Sequence, residues 1–418
     1  MSARGVESPS GDSLKRVATI LREGKERTTD DLVERLLARG AVDVPAIFET
    51  LRLGSLDAAQ PEAGAHEVSL SELQQRALLD ALKRMPQSWR ALFQEFSHSE
   101  SARPERAAAL RVIGEIGAAS DVSLMLDLAR TAPALADSGE SVDPQFQSSV
   151  EKLLGRDVHA FGQFETLFFA ADAPLRPLLV QAISNAGTLA AVEVLAHLLG
   201  KDGELDVILM TGISHTAASL AAPFDARIEE SVRNCLTASS ENLVREAALA
   251  VGKLEDADAL PMLVTLLSHS NRGVRENALW SLKKISGLCF AANEKAWSAW
   301  LKVEQNWWRE SAPALFSRLE TAKRPEALAI VQEVARRRYP RHPLAAELSR
   351  ALSHPDNEVR RLTCVALGEF RSRTAVPALL VCLDDADPDV RIEAGRALHA
   401  VTGEDLPPVR AAWTRAGY

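Results

Sequence analysis

The side chains with the most to offer a ligand or partner lie between Trp297 and His342. Trp297, Trp300 and Trp307 fall at i, i+3 and i+10, roughly one face of a helix expected from Lys295 to Trp308, with Trp308 beside them and Trp280 upstream. Further on, Arg336, Arg337, Arg338, Tyr339, Pro340, Arg341 and His342 follow one another, and from Arg318 to Arg350 eight Lys or Arg face four Asp or Glu. That local charge of +4 reverses the sign of a chain whose net charge is −9. Such a patch could receive an acidic peptide, a phosphorylated segment or a nucleic-acid backbone, with Trp and Arg as anchors. The partner-binding candidates are therefore Trp307, Trp308, Arg336, Arg337, Arg338 and Arg341. Each has a structural reading too: Trp297 and Trp300 as core, and the arginines as cations complementing a helix C-terminus before Pro340 ends it.

Catalytic signatures are missing from the sequence. It contains no GxxxxGK[ST] phosphate loop, no GxSxG elbow, no HExxH and no Cys-His ligand cluster. Its nine histidines are scattered, and Cys235, Cys289, Cys364 and Cys382 have no CxxC spacing. The cysteines read as small buried apolar residues of a reducing compartment. No catalytic residue, cofactor-binding residue, cofactor or metal ligand is expected. An excess of 57 Asp and Glu over 48 Lys and Arg argues against binding nucleic acid nonspecifically. The N-terminus lacks the apolar core of a signal peptide, and the stretch from Leu205 to Phe224 is broken by Asp206, Gly212 and His215. A soluble, cytoplasmic protein without a membrane span is the expectation.

What must position the candidates is a repeat. Val244-Arg245 returns as Val274-Arg275, Val359-Arg360 and Val390-Arg391, each pair opening an Ala-rich amphipathic segment. Val244, Ala247, Ala248, Val251 and Leu254 form one helical stripe; Glu255 to Asp258 make a capping turn, and Pro261 opens a second helix carrying Met262, Leu263, Leu266 and Leu267. A fixed period of this kind marks stacked helical hairpins, none of which can bury its apolar face alone. A longer repeat overlies it. Gly252, Pro261, Val274, Gly287 and Trp297 recur 116 residues later as Gly368, Pro377, Val390, Gly403 and Trp413. Val244 and Val359 are 115 apart, which reads as one residue lost or gained. Fainter echoes set Gly114, Met125 and Leu128 against Gly252, Leu263 and Leu266.

The segments LPMLVTLLSHSNRGVRENALWSLKKISG and AVPALLVCLDDADPDVRIEAGRALHAVTG resemble HEAT repeats of the short bacterial kind. The resemblance implies an all-α fold, a right-handed α-solenoid of stacked helical hairpins with a concave face. It also implies a ladder in which the arginine of each Val-Arg pair reaches oxygens of an inter-helix turn. That role falls to Arg245, Arg275, Arg360 and Arg391, with Asp384, Asp385 and Asp387 as acceptors for Arg391; the turn before Arg275 supplies no acid. Among related repeat enzymes, the iron-dependent deoxyhypusine hydroxylases carry repeated His-Glu pairs, and here the one pair is His66-Glu67.

The expected organisation is an N-terminal arm with short helices and a linker over 1–68, diverged helical repeats over 69–201, and a HEAT-like solenoid over 202–418 with a Trp/Arg-rich interruption at 288–350. Within these, Thr29 or Asp30 is expected to cap a helix from Asp31 to Arg39. Residues 54–68 read as linker, Ser69 with Glu72 as a capping box, and 131–144 as an exposed loop. The functional expectation is a non-enzymatic protein–protein scaffold or adaptor whose protein partner binds along the concave face. The alternative is a HEAT-fold enzyme resembling DNA glycosylases or bilin lyases.

Overall fold

A computed structural model describes residues 9–23, 28–54, 69–98, 103–130, 143–220 and 223–418. Every regular element among them is an α- or 3-10 helix. Alternating first and second helices of successive hairpins pack on one another, which is the α-solenoid plan. The chain divides into two compact units, residues 1–194 and 195–418.

In the first unit, helices begin at Gly11–Glu23 and run on through Leu175–Asn185. Thr28, rather than Thr29 or Asp30, caps Thr29–Leu37 by accepting from the Asp31 amide. The capping box also sits two residues later than expected. The Ser71 side chain accepts from Gln74 N–H at 3.3 Å, and the Gln74 side chain accepts from Ser71 N–H at 2.8 Å. An amide serves better than the Glu72 carboxylate because its Nε2 also donates to the buried Leu21 carbonyl at 3.0 Å, which a carboxylate cannot do. The linker and the 131–144 loop lie outside the described residues, apart from Gly54 and from residues 143–144, which open the helix Asp143–Arg156. The His66-Glu67 pair lies outside them as well. The upstream echo has a physical basis. A methyl built on Gly114 would lie 2.9 Å from the Ser149 Cα, so the glycine lets two first helices approach closely.

The second unit contains two tandem copies of a three-hairpin module, 206–302 and 322–418, in 116-residue register from the second helix of each onward, while in the first helices the buried positions lie 117 apart, as in Met210/Ala327 and Ile213/Ile330. Asp206–Ala217, Ala226–Asn234, Glu241–Leu254, Leu260–Leu266, Arg272–Ser286 and Glu294–Glu310 make the first copy. Arg324–Ala335, Arg341–Leu348, Asn357–Phe370, Val376–Cys382, Pro388–Thr402 and Arg410–Arg415 answer them in order. The expected interruption at 288–350 is therefore mostly repeat. Only the end of Glu294–Glu310 and the extra helix Ala312–Leu319 fall between the copies. The matching positions do matching work. Leu263 and Leu379, Val274 and Val390, and Leu282 and Leu398 are all fully buried. Gly287 and Gly403 end their helices at φ +72° and +82°, a left-handed conformation glycine adopts without strain. Trp297 and Trp413 are fully buried, and each indole N–H donates at 3.0 Å to the carbonyl six residues earlier.

The same register corrects the reading of the Val-Arg pairs. Asn271, Asp356 and Asp387 cap their helices four residues before Arg275, Arg360 and Arg391, whereas Ser240 lies five before Arg245. Position 360 thus corresponds to Val244, no residue has been lost or gained, and Val244-Arg245 is out of phase with the other pairs. Arg245 accordingly turns to its neighbour Glu246 at 2.9 Å. The three in-phase arginines donate to carbonyls of their own turn: Arg275 to His269 and Ser270 (both 2.7 Å), Arg360 to His354 (2.9 Å) and Pro355 (3.0 Å), and Arg391 to Asp385 (2.7 Å) and Ala386 (3.1 Å). The Arg275 rung needs no acid for that reason. Asp385 serves both neighbours, its backbone carbonyl taking Arg391 and its carboxylate taking Arg360 through two hydrogen bonds of 2.8 Å that hold the carboxyl below the usual range. Asp384 pairs with Arg410 at 3.1 Å, and Asp387 caps its own helix.

Candidate functional site

The six candidates come from three places: Trp307 and Trp308 from the end of Glu294–Glu310, Arg336 to Arg338 from the end of Arg324–Ala335 and the turn beyond it, and Arg341 from the next helix. They do not share one surface. Consecutive residues at a helix end point to different sides, and Arg337, Arg338 and Arg341 each meet a different neighbour.

Arg337 lies over the Trp307 ring, 4.3 Å from its centroid, and Trp307 keeps 9% of its surface exposed. The same guanidinium pairs with Glu333 and reaches Glu304 at 3.4 Å. Glu304 is buried and also accepts from the Arg338 backbone N–H at 3.4 Å. Trp307 and Arg337 are thus tied together as a cation–π pair over a buried carboxylate. Trp308 is half-buried and meets Phe316 edge-on, with ring centroids 6.2 Å apart. It borders a groove of about 800 Å³ shared with Arg309, Pro313 and Arg350.

Arg341 leaves this cluster altogether and pairs with Glu255 in the first copy, where Lys284 also reaches that carboxylate at 3.1 Å. His342 Nε2 lies 3.5 Å from Glu255, and its Nδ1 is 2.8 Å from Ser372 Oγ. Burial and the adjacent Arg341 guanidinium pull His342 down to about 4, Glu255 being already engaged by two cations. The imidazole is therefore neutral near neutral pH. Of the six, Arg336 is exposed and, among the described residues, meets no carboxylate; the half-buried Arg338 guanidinium donates only to the Ala335 carbonyl at 3.4 Å.

Sequence reasoning missed a second polar cluster. Arg233 holds the buried Asp256 with bonds of 2.7 and 2.9 Å, and Asp258 lies 3.6 Å away. Glu229 is pushed up to about 7, mainly by burial and then by Asp256. The spacing of Glu229 and Arg233 on one helix face was the available signal. Among the described residues no three His, Cys, Asp or Glu side chains form a potential metal-binding group. Among the same residues no helix is long and apolar enough to cross a membrane.

The sequence model of the family described as HEAT repeats matches residues 229–297 and 344–416, one stretch in each copy. No curated protein matches the chain. Solved structures similar to it include an engineered protein, 16% identical over 93% of this chain and 98% of the other, with a TM-score of 0.28. Human deoxyhypusine hydroxylase in complex with glycerol is 18% identical over 62% of this chain and all of the other, at 0.25. Karyopherin Kap121p bound to the extreme C-terminus of the protein phosphatase Cdc14p is 11% identical over 97% and 51%, at 0.35.

Proposed function

We propose that the chain, two stretches of which (229–297 and 344–416) match the sequence model of HEAT repeats, is a non-enzymatic scaffold or adaptor that binds another protein along the stacked-helix surface of its second unit. One observation carries this reading: the copies repeat their interior and differ outside. Buried positions keep their character, as in Leu263/Leu379 and Trp297/Trp413, while exposed ones diverge, as in Trp280/Arg396 and Thr265/Val381. A frame that holds its core constant and changes its outer side chains presents several distinct patches at fixed spacing. Exposed apolar side chains support the reading: Val381 keeps 60% of its surface exposed, Val303 59% and Trp280 39%. Binding energy on such a surface concentrates in a few aromatic and arginine anchors.

The test is affinity capture of the tagged full chain from nuclease-treated lysate of its source at moderate salt, followed by mass spectrometry. The expected result is one protein retained in stoichiometric amount. Retention of nucleic acid instead, when nuclease is omitted, would replace the scaffold with a nucleic-acid-directed function.

A further inference from the structure

Equivalent grooves in the two copies differ in one respect: the first is occupied from within the chain and the second is open. In each copy the groove lies between the third and fifth helices of the module, over a glycine that lets them approach. In the first copy a methyl on Gly252 would lie 2.8 Å from Trp280, so the indole lies across the glycine. The groove's end is set by Glu255, a non-glycine residue at φ +58°, whose carboxylate receives Arg341 from the following module and Lys284 from within its own. In the second copy Arg396 stands where Trp280 would, and Arg371, at φ +51°, stands where Glu255 would. The charge at the receiving position is reversed, and among the described residues no carboxylate pairs with Arg371.

The open groove has a volume of about 530 Å³. Gly368, Ala397 and Ala400 line it with small side chains, and Arg338, Arg371 and Arg396 supply its cations. Two acids line it as well. Glu393 is paired with Arg396 at 2.8 Å, and Glu369 is exposed. Among the described residues Arg338 and Arg371 have no carboxylate partner. Arg371 also stands close enough to Arg341 to pull that guanidinium down by like-charge repulsion, after the larger effect of burial.

Resting on the scaffold reading above, we propose that this groove docks an extended acidic segment of a protein partner, with a carboxylate taken by Arg371 and Arg338 as Glu255 takes Arg341 in the first copy. The small floor admits an extended backbone, and the two groove glutamates favour carboxylates spaced by small residues over a continuous acidic run.

The probe is a fluorescein-labelled dodecapeptide of alternating Glu and Ala, titrated with the full chain at low and moderate salt and followed by anisotropy. Binding is expected to weaken at moderate salt, and Arg338→Gln with Arg371→Gly should weaken it at least about tenfold. Glycine is chosen at 371 because the positive φ suits it, so the fold is kept. Arg415→Gln, at an exposed arginine outside the groove lining, should leave affinity unchanged. Equal losses from Arg415→Gln, or equal binding of a Lys-for-Glu peptide, would overturn the proposal by showing only diffuse charge. Binding only after phosphoserine replaces Glu would overturn the carboxylate assignment. If the captured partner is held equally by the wild type and the double variant, the groove proposal falls and the scaffold reading stands. If no partner is captured at all, the scaffold reading itself falls.

Discussion

The copies at 206–302 and 322–418 share helix order, spacing and buried positions, yet they handle charge in opposite ways. In the first copy the turn after the third helix gathers cations around Glu255; in the second the same turn offers Arg371. Even a shared contact is inverted. Glu241 accepts from Asn271 at 2.9 Å in the first copy, and in the second Asn357 donates to Asp387, so acid and amide have changed places. Packing positions tolerate little change because a lost methylene leaves a cavity, whereas a surface hydrogen bond needs only a donor and an acceptor in either order.

Substitutions in matched pairs break or sharpen this comparison, and the largest effect belongs to the buried indoles. Trp297→Ala and Trp413→Ala should each cost about 3–5 kcal/mol in denaturant unfolding. A loss below about 1 kcal/mol at either one would show that the two copies do not share a core.

The paired glycines should separate. A methyl on Gly252 would lie 2.7 Å from the Ser281 Cβ, and Gly252→Ala should cost about 1–3 kcal/mol through overpacking. At Gly368 the nearest atom is 3.1 Å away, and Gly368→Ala should stay within about 1 kcal/mol because the gain in helix propensity offsets the tighter contact. Equal thermal shifts for the two variants would contradict the difference in helix approach.

The register correction is tested by arginines. Arg360→Ala removes the Asp385 pair and two carbonyl bonds and should cost about 1–3 kcal/mol. Arg245→Ala, which loses only the neighbouring Glu246, should cost under about 0.5 kcal/mol. Similar costs would restore Val244-Arg245 to the ladder.

The smallest effect is a pH slope peculiar to each copy, since Glu229 corresponds to Ala345 and His342 to Ala226. Glu229 is raised from 4.5 to about 7, so between those values the unfolded chain has released a proton that the folded chain keeps. Stability from this group is present below about 4.5 and lost as pH rises to about 7. His342 is lowered from 6.5 to about 4, so its contribution is present above 6.5 and lost as pH falls toward 4. Glu229→Gln should remove the first slope and His342→Gln the second, measured as unfolding free energy against pH. Unchanged profiles would mean that neither group is desolvated in solution.

Much of the frame was readable from letters alone. Five positionally demanding residues revealed the 116-residue register, because a left-handed helix end, a first-turn proline and a buried indole each admit few residue types. The candidate site was less legible. Arg336, Arg337, Arg338 and Arg341 look like one patch because they are adjacent in sequence. They separate in space because they span a helix end and a turn, which send successive side chains to Glu304, Ala335 and Glu255. The Val-Arg pair at 244–245 misled for a related reason: the letters match the ladder, but the cap lies one residue too far away.

The sequence by itself determined the all-helical class, the hairpin period and the duplicated core, since these follow from local helix chemistry and from apolar spacing along one chain. Only the tertiary structure decided which arginines are held inside and which face outward, and that one groove is filled while its twin is open. Those outcomes depend on where side chains from distant helices end, as Arg341 reaching Glu255 across 86 residues makes plain. Sequence spacing carries no record of that distance.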